Sequence, residues 1–185
     1  MTLTAIVCCA MTTAVFTSCG GDDTGSSGGG GGEEDKTPYG VEMNYSFTVN
    51  DQAVENLTMT IEYYDETGKF QKEVMTSTNW SKKVSVKLPA KLGARLYVAI
   101  KDGVTLSDEK QYTFDWKYTV SYKIVNKQGK TLGEVFTNNK HKDLKEKNGS
   151  EVENYLAKYA GKALLGYIYD FDANGKTEDT NETGE

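Results

Sequence analysis

The sequence predicts a mainly β fold: an antiparallel two-sheet β-sandwich, immunoglobulin-like or transthyretin-like, with one short helix in the C-terminal half. Three observations carry the prediction. From Tyr39 onward apolar residues recur at every second position, the pattern of strands with one buried face. Three turn signals share one chemistry, an Asp or Asn followed three residues later by Gly. A single apolar stripe at helical spacing interrupts the alternation after residue 150. One-sided alternation favours antiparallel sheets over a parallel α/β core. An incomplete barrel is the alternative closure of the same strands.

The elements follow in order. Val41, Met43, Tyr45, Phe47 and Val49 alternate with polar residues, and Leu57, Met59, Ile61 and Tyr63 repeat the pattern. Trp80, Val84, Val86 and Leu88 stay in phase until Pro89, which has no N–H for the ladder and ends the strand. Leu96, Val98 and Ile100 follow. The longest run sets Phe114, Trp116, Tyr118, Val120, Tyr122 and Ile124 inward. The turns are Asp65–Lys69, Asn126–Lys130 and Asp172–Lys176. Ser150 and Glu153 read as a capping box, followed by the stripe Val152, Tyr155, Leu156, Tyr159, Ala160 and a stop at Gly161. This helix is expected as a lid, with a last strand at about Leu164 to Phe171. No Cys-Trp-Cys signature is present, which argues against the antibody superfamily proper.

The N-terminus reads as an address. Residues 3–17 are apolar and uncharged, shorter than the about 20 residues of a spanning helix and suited to a secretory signal. Phe16-Thr17-Ser18-Cys19 resembles a bacterial lipobox, with Cys19 the lipidated residue. Cys8 and Cys9 lack a small residue at the position before the thiol. A signal ordinarily opens with Lys or Arg, which Met1–Thr4 do not contain; an upstream start would supply it. The alternative is a buried apolar segment with an incidental Cys. Each buried methylene contributes about 0.8 kcal/mol, so one acyl chain holds poorly while two or more, palmitate among them, hold firmly.

The expected organisation is a signal peptide over 1–18, lipidated Cys19 with a Gly-rich acidic linker over 19–38, a β-sandwich over 39–172, and an acidic disordered tail over 173–185. The 19 residues from Gly20 to Pro38 behave as a flexible coil with a mean span of roughly 24 Å. Charge separates the regions. Of the net −6, the linker carries five acids against Lys36 and the segment from Asp170 six against Lys176, leaving residues 40–169 at +3. That excess is too small to argue for nucleic acid. All 3 Cys lie in the first 19 residues, so the remainder can form neither a disulfide nor a Cys-ligated zinc site.

Few residues carry chemistry. Asp170, Asp172 and Asn174 imitate the opening of a calcium loop, but the twelfth position, Asn181, is no bidentate Glu; a hairpin tip is the expectation and a weak calcium site the alternative. His141, the single histidine, sits in a polar stretch and reads as a solvated loop residue. The run Lys140–Lys147 is mixed in sign and reads as a solvated helix or loop. The Gly28–Gly32 run lacks the Lys-Ser/Thr of a phosphate loop and is a spacer. Trp80, Trp116, Tyr118 and Tyr122 fall on inward phases. Tyr64, Tyr97 and Tyr112 fall off that phase or in a loop, where exposed rings could stack on sugar faces. No cofactor is implied, and no acid, base and nucleophile converge in the sequence.

Trp80–Gly93, Lys101–Thr105 and the aromatic strand Asp115–Tyr122, together with the lipobox, resemble small outer-membrane lipoproteins of the Bacteroidota with an immunoglobulin-like β-sandwich domain. The resemblance covers about two-thirds of the chain, its motifs are architectural, and it transfers no active-site residue. An acidic cluster after the lipidated Cys resembles the surface-export signal of such lipoproteins. The implied protein is membrane-bound through its lipid, on the cell surface or alternatively the periplasmic face of the outer membrane. It acts as a non-catalytic interaction module, with a carbohydrate-binding protein as the first alternative and an enzyme as the second. A protein or glycan partner is expected, and no nucleic acid.

Overall fold

The alternating segments become strands, and the strands assemble into two antiparallel sheets. The computed structural model describes residues 35–180. Cys19, the signal segment 1–18, the linker up to residue 34 and residues 181–185 lie outside the described residues. In chain order the elements are β1 (Gly40–Val49), α1 (Asp51–Asn56), β2 (Leu57–Tyr64), β3 (Phe70–Met75), β4 (Asn79–Lys87), β5 (Ala90–Ile100), β6 (Tyr112–Val125), β7 (Thr131–Lys147), α2 (Gly149–Ala157), β8 (Leu165–Phe171) and β9 (Thr177–Thr180). Sheet one has the order β4-β1-β6-β7 and sheet two the order β3-β2-β5-β8-β9. Thus β1 and β2 lie in opposite sheets, unlike the antibody arrangement, in which the first two strands share one.

Period two decides what is buried. Val41, Met43, Tyr45, Phe47 and Val49 of β1 and Phe114, Trp116, Tyr118 and Val120 of β6 are buried from sheet one. Leu57, Met59, Ile61 and Tyr63 of β2, Leu92 to Val98 of β5 on alternate residues, and Leu165, Tyr167, Tyr169 and Phe171 of β8 meet them from sheet two. Each such side chain stabilises the fold by roughly 1.5–3 kcal/mol relative to exposure. The core is rich in rings: Phe47 stacks on Tyr118 with centroids 4.8 Å apart, and Tyr122 meets Phe171 edge-on at 5.0 Å.

Five features depart from the sequence-based expectation. Residues 131–147, expected as a solvated helix or loop in part, form the edge strand β7. The helix cap is Asn148 with Glu151, two residues before the predicted Ser150 with Glu153. Gly149 is the reason: a Cβ there would lie 2.3 Å from the Leu106 carbonyl, so the helix start is pressed onto the 106–108 loop. Asp108 then accepts from the Ser150 N–H at 2.7 Å and from its hydroxyl at 2.8 Å, leaving Ser150 no capping role. A second, shorter helix, α1, follows β1; its flanking Asn50 and its Gln52 bond the Thr113 backbone at 2.7 Å each, continuing the ladder of β6 beyond the end of β1. The sheet domain does not end at 172, because Thr177–Thr180 pair with β8. Tyr112 opens β6 on its inward phase and is buried.

The three Asx turns join β2 to β3, β6 to β7 and β8 to β9. In each, one side-chain oxygen of the first residue accepts two backbone N–H groups, at 2.8 and 3.0 Å for Asp65, 3.1 and 2.8 Å for Asn126, and 2.8 and 2.8 Å for Asp172. The fourth residue is a glycine with φ of 72°, 78° and 74°, a region where a side chain is strained. The strand registers put all three tips at one end of the sandwich, with the Leu88-Pro89 link and the entry at Asp35, whose carbonyl accepts from Asn126 at 2.7 Å. α1, the β5–β6 loop and α2 occupy the other end.

The two flanks, where sheet edges face each other, differ. At β3/β4 the Glu73 carboxylate accepts from the Trp80 indole N–H and, at 3.3 Å, from the Tyr63 hydroxyl, with Lys82 at 3.8 Å. At β7 the inward positions are Phe136, Asn138, Lys140 and Lys142. Lys140 lies 5.6 Å over the Tyr167 ring and Lys142 4.7 Å over that of Tyr159. Inward-pointing lysines of this kind blunt an edge strand against pairing with another chain.

Candidate functional site

The outer face of sheet two carries a concavity of about 500 Å³, within the range of small-molecule sites. Its floor follows from register. Thr60 of β2 pairs with Tyr97 of β5, Thr58 with Ala99, and Glu62 with both Arg95 and Lys72 of β3. Period two turns all of these away from the core. The overhanging wall is Tyr159, Ala160 and Gly161, which follow α2; Gly161 takes φ of 72° and turns the chain back toward β8.

Local chemistry fixes the lining. Lys72 Nζ stands 3.4 Å from Glu62, with the Lys72 side chain 64% exposed and that of Glu62 20%. Burial pushes the Tyr97 hydroxyl above its ordinary pKa, and the neighbouring Glu62 adds to the shift while Arg95 opposes it. The Tyr159 hydroxyl accepts from Lys142 Nζ at 2.9 Å. Burial raises the Tyr159 pKa, but the hydrogen bonds from Lys142 and with Tyr155 outweigh it, so this hydroxyl titrates below the usual tyrosine value. The Thr58 and Thr60 hydroxyls make no hydrogen bond within the described residues. The cleft therefore offers two aromatic side chains, two unengaged hydroxyls, one carboxylate and one largely exposed lysine. That set can bind a polyhydroxylated ring.

Of the three tyrosines expected to stack on sugars, Tyr97 lines this cleft. Tyr64 lies on the same face but four residues along β2 from Thr60, about 13 Å away, and packs edge-on against Phe70 at 5.7 Å. Tyr112 is buried; its hydroxyl accepts from the Ser107 N–H at 3.0 Å and its ring stacks on Phe114. Its place is legible in the sequence, because it stands two residues before Phe114 in the same alternation. Thr58, Thr60, Lys72 and Tyr159 could not be picked out beforehand, since strand register and the turn after α2 bring them together.

The other candidates fall elsewhere. Asp172 spends one carboxylate oxygen on two turn N–H groups, and these hold its pKa below the ordinary value. Asn126 fills the same role as an uncharged amide, so the geometry is that of a turn rather than a cation loop. Asp170 points outward from β8 and Asn174 sits at the tip. Among the described residues no three His, Cys, Asp or Glu side chains could hold a metal ion. His141 is in β7, not in a loop, and its Nε2 lies 2.8 Å from Asp115 Oδ2 on the outer face of sheet one. No described hydroxyl bonds that imidazole, so the pair lacks a nucleophile. Cys19 lies outside the described residues. No helix among the described residues is long and apolar enough to cross a membrane. No protein family, curated protein or solved structure matches the chain.

Proposed function

We propose that the chain is a lipid-anchored protein of the bacterial outer membrane whose β-sandwich is a non-catalytic binding module. The apolar run, the small residues before Cys19 and the polar tract after it support the anchor. The acidic cluster after Cys19 favours exposure at the cell surface, with the periplasmic face as the other orientation. The observation that carries the binding role is the cleft of Tyr97, Tyr159, Thr58 and Thr60 on the outer sheet face. Its carboxylate is ion-paired with Lys72, and the His141–Asp115 pair lies on the other sheet, so the cleft is furnished for holding a ligand. Rings beside free hydroxyls favour a carbohydrate as that ligand.

Two measurements test the proposal. Cys19→Ser should move the protein from the membrane to the soluble fraction; retention refutes the anchor. On an immobilised glycan panel, Tyr97→Ala should lower affinity at least about tenfold, the scale of a central aromatic contact. Tyr64→Ala should leave it unchanged. Binding that responds to Tyr64 and ignores Tyr97 removes the cleft from the account.

A further inference from the structure

We infer that the Tyr97 cleft selects a sugar bearing an acidic group, a carboxylate or a sulfate, over a neutral one. The inference rests on the reading of this cleft as a carbohydrate site. Three observations point to it. First, the charges around the cleft are unequal. Glu62 is the one carboxylate in the lining, while Lys72 lines it, Arg95 flanks Tyr97 from the same strand face, and Lys142 stands on the Tyr159 hydroxyl at the rim. Second, the Lys72–Glu62 pair at 3.4 Å is long and the Lys72 side chain is largely exposed, so the cation can turn to a ligand anion without first breaking a buried bond. Third, residues 40–169 hold an excess of three positive charges, so the net negative charge of the chain comes from the segments outside them.

The parts have distinct work. The Tyr97 ring receives the apolar face of the pyranose, and Tyr159 bounds it at the wall. Thr58 and Thr60 meet its hydroxyls on the floor. Lys72 pairs with the acidic substituent, and Glu62, relieved of part of its ion pair, accepts from a neighbouring sugar hydroxyl. A charge-assisted hydrogen bond is stronger than a neutral one, so an acid should bind about tenfold more tightly than its neutral counterpart. Because Lys72 is exposed, the advantage should shrink with added salt.

The test is calorimetric titration of the full-length chain with an oligogalacturonate and with the same oligomer methyl-esterified, which keeps the rings and removes the charge. A sulfated galactan against its desulfated form separates the two sources of acid. The expected result is about tenfold tighter binding of at least one charged form, lost in Lys72→Gln, while Tyr97→Ala abolishes binding of every form. Tyr97→Phe, which keeps the ring, and unchanged thermal midpoints exclude misfolding. Equal affinity for charged and neutral forms, or an acid preference that survives Lys72→Gln, overturns the charge selection and leaves the carbohydrate reading standing. No binding of any form overturns both.

Discussion

The two flanks of the sandwich solve one problem with opposite chemistry. At β3/β4 a single carboxylate, Glu73, joins the sheets by receiving Trp80 and Tyr63, with Lys82 close by. At β7 two ammonium groups, those of Lys140 and Lys142, rest on the rings of Tyr167 and Tyr159. The first flank is directional and tight. The second is adaptable and leaves a cavity of about 70 Å³ between β7 and the start of β8. It also holds Tyr159, one wall of the candidate cleft, through the Lys142 hydrogen bond.

This contrast can be broken from either side. The largest effect is expected for Glu73→Ala, which leaves the Trp80 indole N–H and the Tyr63 hydroxyl without their acceptor. Hydrogen bonds to a charged group, discounted for a side chain 37% exposed, give a loss of about 2 kcal/mol, read as a lower urea midpoint with unchanged slope. Lys142→Met should cost less than about 1 kcal/mol, the scale of a cation–π contact, yet weaken glycan binding, because Tyr159 loses the group that positions it. A variant that destabilises as much as Glu73→Ala would erase the distinction between the flanks.

The smallest effect is one of sign at alkaline pH. Lys82 titrates above the ordinary 10.5, chiefly through the Tyr63 hydroxyl. Its contribution is fully present below 10.5 and is lost as pH rises through the folded value. Tyr159 titrates below the ordinary 10.0, so its contribution is present above 10.0 and is lost as pH falls through the folded value. Raising pH should therefore loosen the Glu73 flank while favouring the Lys142 contact. Tyrosinate absorbance should lose its earliest transition in Tyr159→Phe, and the stability of Lys82→Met should converge on that of the parent as pH rises through the folded value of Lys82. Parallel curves for Lys82→Met and parent would contradict the assignment.

The same contrast explains what could be read beforehand. β1, β2 and β6 were legible because each buries one face completely, so hydrophobicity alternates with the backbone. β7 was not, because its inward residues include the polar Asn138, Lys140 and Lys142, and the lysine heads lie over the rings of Tyr167 and Tyr159. Pattern alone could not choose between Asn148–Glu151 and Ser150–Glu153, since both satisfy the capping box; the tertiary contacts of Gly149 and Ser150 decide. At the site, Tyr97 was visible as an aromatic off the inward phase. Its partners were not, because Lys72 and Tyr159 reach it only through a hairpin and a helix turn.

The placement of the three turns has a mechanical consequence. The described chain enters at Asp35, beside the Asn126 hairpin, and runs directly into β1, an inner strand paired over nearly its whole length with β4 on one side and β6 on the other. A pull delivered at that entry acts along the strand axis, so the rungs on both sides must shear together; they cannot peel one at a time. The cleft opens toward the opposite end, beyond Thr60 and Tyr97. With a polymer held in the cleft, as proposed, drag would be transmitted down the length of the domain and resisted by a strand bonded along both its edges.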